Sequence, residues 1–224
     1  MNNITYAIIA CYPDKGMKSY GSKSLMSFNN IQLLDYQIST IHRMHKIKHN
    51  YEIIVICDFD FSKIDKLFNH KARIIQLSDN NSVFTACSEA SYKNIIFIDY
   101  GCVFNQKILE NLLKEQTAQI LCIKKYDHGK LDVGCLNNQN NIYMYLDLPD
   151  NKFCNMFCLL ESNIMDILSN QIRYSVKNLL YFEIINMLVE DGHKIQISYA
   201  NTDGYIYFNN MGQKNAIKKF ISKK

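Results

Sequence analysis

Proline is the scarcest punctuation in this chain: two residues in 224. Flexible and semi-rigid linkers draw on proline, glycine and serine, so this scarcity leaves little material for a boundary between domains, and no internal repeat breaks the sequence. The eight cysteines contain no C-x-x-C pair, which argues against a zinc knuckle and against thioredoxin-type chemistry. No apolar run approaches the ~20 residues of a membrane span, and the amino terminus lacks a basic segment followed by a cleavable apolar core. Charge of one sign is also missing. The 25 Lys and Arg stand against 21 Asp and Glu, a net +4, with much of the excess in the closing "KKFISKK". No basic stripe with interleaved aromatics accompanies that tail, so no nucleic-acid partner is expected.

What is present describes a folded chain. The composition is 48% hydrophobic, 12% aromatic and 21% charged, as in globular rather than disordered proteins. The length suits one substantial core and is short for two, so a single domain over residues 1–224 is expected. Cys11, Cys57, Cys87, Cys102 and Cys122 sit in or beside apolar runs, where thiols behave as small hydrophobes. Reduced, structural cysteines with no span or leader lead to the expectation of a cytoplasmic protein.

Apolar runs alternate with helical periodicity along the first half. "YAIIAC", "EIIVIC", "ARIIQL", "NIIFID" and "AQILCIKK" are strand-like. Between them "QLLDYQISTIHRMHKI", "FSKIDKLFN", "NSVFTACSEAS" and "QKILENLLKEQ" are helix-like. That alternation is the pattern of a sheet covered by helices. From about residue 126 the rhythm changes to hairpins around "NNQNN", then a strand in "NKFCNMFCLLES", a helix closed by Gly192, two late strands "KIQISYA" and "GYIYFN", and a closing helix. The expected fold class is a three-layer α/β/α, Rossmann-like arrangement whose mixed sheet is mostly parallel, with antiparallel additions in the C-terminal half.

The first strand runs into "CYPDKGMKSYGSKSL". In open α/β sheets, ligands bind at the carboxyl ends of the strands, so this loop is the first candidate site. Its glycines Gly16 and Gly21 and its lysines Lys15, Lys18 and Lys23 suit close backbone approach to a phosphate and neutralisation of its charge; ordinary surface lysines are the alternative. Asn81 and Ser82 precede a helix, where a capping role is common. Asp99 ends the strand "NIIFID", and a carboxylate bonding turn amides is the ordinary reason for an aspartate there. His42, His45 and His49 recur at helical steps beside Arg43, Lys46 and Lys48, which is the expectation for a solvated helix face rather than a metal site.

The order of elements, "GSKSLMSFNNIQLLDYQI", "NNSVFTACSEA", "YFEIINMLVEDGHKI" and "GYIYFNNMGQKNAIKKFI" resemble the GT-A-like nucleotidyltransferases, which join a nucleotide to sugar phosphates or phosphocholine-like acceptors. The resemblance covers most of the chain. It implies that Lys15, Gly16, Lys18, Gly21 and Lys23 hold the phosphates, with Lys23 in the place of the family's lysine and Lys18 near its arginine. Asn81 and Ser82 would then face the base or ribose, and Mg2+ would be the cofactor. Glu183 falls on an acidic position of the family. The pattern departs at the metal site. Where the family carries metal-binding aspartates, this chain has Gly101 or Cys102 after the strand, and Asn209, with Tyr207 two residues earlier, in the last strand. Asp99 is the one carboxylate positioned to replace them, and Asp203 is a weaker second. Two functions follow: a divergent nucleotidyltransferase acting on a nucleoside triphosphate and a phosphorylated small molecule, with Lys23 and Asp99 catalytic, or an inactive member of the fold serving as a binding or structural component with a protein partner or as a homo-oligomer. A glycosyltransferase ranks last, because the only Asp-x-Asp, in "CDFD" at 57–60, follows the second strand.

Overall fold

In the computed structural model of the chain, residues 3–10, 25–45, 50–58, 72–77, 82–114, 117–124, 132–138, 141–147, 151–160, 162–164, 166–167 and 181–223 are described. β1 (Asn3–Ala10) is buried from Ile4 onward. It lies between β4 (Asn50–Cys57) and β6 (Ile95–Asp99), parallel to both, with Ala10 opposite Cys57 and Ile9 opposite Asp99. Strands covered on both faces need apolar residues at successive positions rather than alternation, which is why "YAIIA", "IIVIC" and "IIFI" carry no polar break. β5 (Arg73–Gln76) extends the parallel set beyond β4.

The other half of the sheet is mixed. β11 (Asn151–Leu159) runs antiparallel to β6 on one side and to β8 (Ala118–Lys124) on the other, and β12 (Ile195–Tyr199) joins β8 in parallel. The order is therefore β5-β4-β1-β6-β11-β8-β12. A hairpin of β9 (Asp132–Asn138) and β10 (Asn141–Asp147) attaches to the first half of β11 through Lys152 and Gly134. On this edge the Asn186 amide accepts from the Met144 N–H at 2.7 Å and donates to its carbonyl at 2.8 Å. It thereby closes part of an edge that would otherwise template further pairing.

Helices cover both faces, as the alternation predicts. α1 (Leu33–Met44) and α3 (Gln106–Lys114) pack Leu34, Ile38, Ile41, Ile108, Leu109 and Leu112 on one face. α2 (Val83–Cys87) and α4 (Tyr181–Glu190) pack Phe84, Ile184, Ile185 and Leu188 on the other. Gly192, at φ 89°, ends α4 with bonds from Gly192 N–H to Val189 O and from His193 N–H to Leu188 O, a Schellman closure that requires the left-handed residue. The segment 61–69, expected to be helical, lies outside the described residues.

Two small sheets were not anticipated. β2 (Ser27–Phe28) and β3 (Ile31–Gln32) form a hairpin whose turn residues Asn29 and Asn30 have φ of 52° and 62°, the paired left-handed geometry of a tight hairpin turn. β7 (Cys102–Phe104) pairs antiparallel with β13 (Tyr205–Tyr207). The closing helix α5 (Lys214–Ser222) then buries Ile217 and Ile221 in a separate cluster with Phe28, Leu33, Tyr36, Val103 and Phe208. The histidines are a correction. His45 is buried, its Nε2 2.6 Å from the Tyr6 hydroxyl and its ring stacked on Tyr51 at 4.3 Å, while His42 bonds the Tyr51 hydroxyl. The two face the first strands rather than solvent, because aromatic partners complement both the polar and the flat surfaces of an imidazole; His49 lies outside the described residues.

The seven described cysteines are all buried, and none is in a disulfide bond. Burial pushes the Cys158 thiol up to about 12 and raises Cys87, Cys102 and the Tyr6 and Tyr205 phenols. In an unfolded chain such groups ionise near 8.5 for Cys and about 10 for Tyr, so above those values the unfolded state releases protons that the folded state retains. Stability is then fully present below pH ~8.5 and falls as pH rises further. We expect the urea midpoint, measured under reducing conditions at constant ionic strength, to drop steadily from pH 8 to pH 10.5. The drop should be smaller in Cys158→Ala; a flat profile would contradict the burial of these groups.

Candidate functional site

The phosphate-type loop begins where β1 ends, at Ala10, and its far end is fixed at Leu25, which packs against the α1 and α3 face of the sheet. Lys15, Gly16, Lys18, Gly21, Lys23 and Asn81 lie outside the described residues. Ser82 is placed. It caps α2, accepting from the Thr85 N–H at 3.1 Å.

Asp99 ends β6 at the carboxyl edge of the sheet, beside the end of β1, and is 6% exposed. Its Oδ1 accepts from the Gly101 N–H at 2.8 Å and from the Tyr207 hydroxyl at 3.0 Å. The first bond is the aspartate turn expected of the sequence "DYG". The second comes from a side chain 108 residues away, and it exists because β13 lies against β7 with Tyr207 opposite Cys102. Burial, and then the Asp99 charge, push the Tyr207 phenol far above its ordinary range, so it remains a proton donor to Asp99.

The two positions left open for the first missing carboxylate now separate. Cys102 is fully buried and turned into the core, its Sγ near the carbonyls of Cys154 and Asn155 and the Tyr205 hydroxyl. Burial and the nearby Asp99 hold this thiol well above its usual pKa. Gly101 lies in the turn before β7, and a Cβ there would come within 2.8 Å of the Tyr207 ring. The phenol thus fills the space that a side chain at position 101 would occupy. Asn209 is exposed just beyond β13, and its backbone N–H donates to Gln213 Oε1 within the turn that precedes α5. Asp203 lies in the single 3-10 turn before β13, along a cleft of about 700 Å³ shared with Asn105 and Lys107. Glu183 is exposed on α4.

One residue central to this geometry went unnoticed in the sequence. Gln37 of α1 is fully buried, and its Nε2 reaches the carbonyls of Asp99 at 3.1 Å, Tyr100 at 3.3 Å and Cys102 at 2.8 Å. A single amide therefore holds the whole turn between β6 and β7 from beneath. The available signal was its position: a polar residue three after Leu34 and four after Leu33, on the apolar stripe of α1. We expect Gln37→Leu to lower the unfolding free energy by about 1–3 kcal/mol, since it strips a buried donor from carbonyls that cannot reach water. Exchange of the Gly101 amide should quicken in parallel. Unaltered urea stability together with unaltered exchange would reject Gln37 as the clamp.

With the geometry in hand, the fold can be placed among known structures. The chain resembles the inositol-1-phosphate CTP transferase of T. maritima with a TM-score of 0.77 at 12% identity, over 98% of this chain and 95% of that one. It resembles the CTP:phosphocholine cytidylyltransferase of Streptococcus pneumoniae with a TM-score of 0.74 at 11% identity, over 97% and 99%. The 4-diphosphocytidyl-2C-methyl-D-erythritol synthase of Anaerococcus prevotii follows with 0.67 at 13%, over 98% of both chains. No family model matches the sequence, and no curated protein matches it. The chain has the GT-A-like nucleotidyltransferase fold, spanning the solved enzymes nearly end to end, and the expected mixed α/β sheet is the one observed.

Proposed function

We propose that this protein is a nucleotidyltransferase-fold chain that recognises a nucleoside triphosphate or a phosphorylated small molecule at the carboxyl edge of β1 and β6, without the metal-dependent transfer step. The observation that carries this reading is the contact between Tyr207 and Gly101, with the Tyr207 hydroxyl on Asp99. Magnesium asks for near-octahedral oxygen ligands, commonly one or two carboxylates plus the substrate's phosphates. Among the described residues, this strand end offers a carboxylate already accepting two hydrogen bonds on one oxygen, a thiol turned inward and a phenol held neutral. That donor set does not fit a magnesium ion. Lys15, Lys18 and Lys23, with Gly16 and Gly21, still concentrate charge and backbone access in the loop that leaves β1. A ligand bearing phosphates suits such a loop, and the fold supports the same edge as the binding place.

A second reading is favoured by one fact: Asp99 terminates the strand next to β1, at the edge where the loop begins. In it the chain transfers a nucleotide from the triphosphate to a sugar phosphate or phosphocholine-like acceptor, with Lys18 and Lys23 on the phosphates and Asp99 as replacement metal ligand. A protein partner or a second copy of the chain would be the receiver of the binding signal under the first reading.

Calorimetric titration with CTP, UTP, GTP and ATP, with and without magnesium, separates the two. We expect one triphosphate to bind with little dependence on magnesium, to weaken about tenfold or more in Lys23→Ala, where a charge-assisted contact is lost, and to bind Asp99→Asn as it binds wild type. No pyrophosphate should be released with phosphorylated acceptors. Magnesium-dependent binding lost in both variants would establish the transferase instead. Absence of any binding at millimolar nucleotide would remove both and direct attention to protein partners.

A further inference from the structure

A separate pocket of about 200 Å³ lies on the outer side of the α1 layer, where α1, the start of α3 and α5 meet. Tyr36, Thr40 and Arg43 come from α1, Asn105 from the residue before α3, and Phe220 and Lys223 from the end of the chain. Among the described residues, no Asp or Glu lines it.

Arg43 is fixed rather than waving in solvent. Its Nη2 donates to Thr40 Oγ1 at 2.8 Å, and its guanidinium carbon sits 5.9 Å from the centre of the Tyr36 ring. The supports are themselves held, since Thr40 Oγ1 donates to the Tyr36 carbonyl at 2.8 Å and the Tyr36 hydroxyl donates to the Phe104 carbonyl at 3.1 Å. Yet Arg43 Nε is shut from solvent and meets no acceptor, and no carboxylate pairs with Arg43, among the described residues. That N–H is enclosed and out of a ligand's reach, so Arg43 would meet a ligand through the part of its guanidinium that lines the pocket. Asn105 repeats the pattern, for its Oδ1 is also enclosed and unbonded among the described residues.

A pre-positioned guanidinium with a second cation nearby and, among the described residues, no anion in the wall is matched by a tetrahedral oxyanion. Size narrows the choice. Sites that enclose whole drug-sized molecules run to about 300–1,000 Å³, so this pocket takes a phosphoryl group with a short stem and excludes a nucleoside triphosphate. We propose that it binds the phosphate group of a small ligand, either inorganic phosphate or a phosphomonoester, through the Arg43 guanidinium with Lys223 as the second cation. This site is independent of the nucleotide reading and uses none of the loop lysines.

The test titrates the full chain with inorganic phosphate, glycerol phosphate and acetate at constant ionic strength, following calorimetry and thermal stabilisation together. Wild type is compared with Arg43→Gln, Arg43→Lys, Lys223→Gln and, as a control for the loop, Lys23→Ala. Saturable phosphate binding is expected in wild type and Lys23→Ala alike, reduced at least about tenfold in Arg43→Gln and less in Lys223→Gln, with acetate inactive. The tighter of inorganic phosphate and glycerol phosphate identifies the source of the group. Should Arg43→Gln not fold, Arg43→Lys retains the charge and loses the fork, and weakened phosphate binding there supports the same assignment. Phosphate affinity unchanged in every Arg43 and Lys223 variant overturns the proposal. So does affinity lost in Lys23→Ala with the Arg43 variants intact, and so does the absence of saturable binding.

Discussion

The close approach of Tyr207 to Gly101 is the constraint on which this end of the molecule depends. β13 lies against β7 with the Tyr207 ring over residue 101, which has no side chain: a Cβ there would stand 2.8 Å from the ring and 3.1 Å from the Phe208 carbonyl oxygen. Once the two segments meet, the Phe208 N–H bonds the Gly101 carbonyl, Phe208 enters the cluster beneath α5, and the Tyr207 hydroxyl reaches Asp99. Gln37 completes the arrangement from the α1 side by holding three carbonyls of the same turn. The last strand and closing helix are thereby pinned to the end of a central strand, and the chemistry available at that strand end is decided by the same contact.

How much of this was legible follows the range of the interactions concerned. β1, β4 and β6 were legible because burial on both faces writes itself into an unbroken apolar run, and α4 ended where Gly192 said it would because a left-handed residue is a local requirement. The placement of β11 between β6 and β8 was not, since nothing within "NKFCNMFCL" records which strands will flank it. β13 falls within the expected strand "GYIYFN", but β7, at three residues, is too short for any period to emerge, and nothing local records that the two pair. The hairpin turn at Asn29 and Asn30 did carry a signal, as asparagine tolerates the left-handed region more readily than most residues, and so did Gln37 on its apolar stripe. His45 was misplaced for the converse reason: basic neighbours dominated a pattern in which an aromatic cage, assembled from Tyr6 and Tyr51, made burial favourable.

The ambiguity between Gly101 and Cys102 was one of a single residue, and the chain separates the two because Gly101 lies in the turn after β6 while Cys102 begins β7. The structure places Cys102 inward, among backbone carbonyls of β11, and leaves Gly101 facing the phenol. Either alignment therefore leads to the same chemistry, because position 102 is turned away from the edge and position 101 is covered by Tyr207.

The energetic consequence bears on function more than the count of missing carboxylates does. To admit a metal ion at this strand end, the Tyr207 ring must leave Gly101 and its hydroxyl must leave Asp99. Re-exposing most of an aromatic side chain costs about 1.5–3 kcal/mol, and breaking a hydrogen bond to an ionised carboxylate costs about 1.5–3 kcal/mol more. Every 1.4 kcal/mol being about tenfold, the intrinsic metal affinity of Asp99 is lowered by about two to four orders of magnitude. Under the proposed reading, charge neutralisation of a bound phosphate would fall to Lys15, Lys18 and Lys23, which lie outside the described residues. Cations that grip phosphates equally in the bound ligand and in the transition state improve affinity without lowering the barrier. In that reading, cations supplied by the loop together with an Asp99 engaged by Tyr207 favour recognition of a phosphorylated ligand over its transfer.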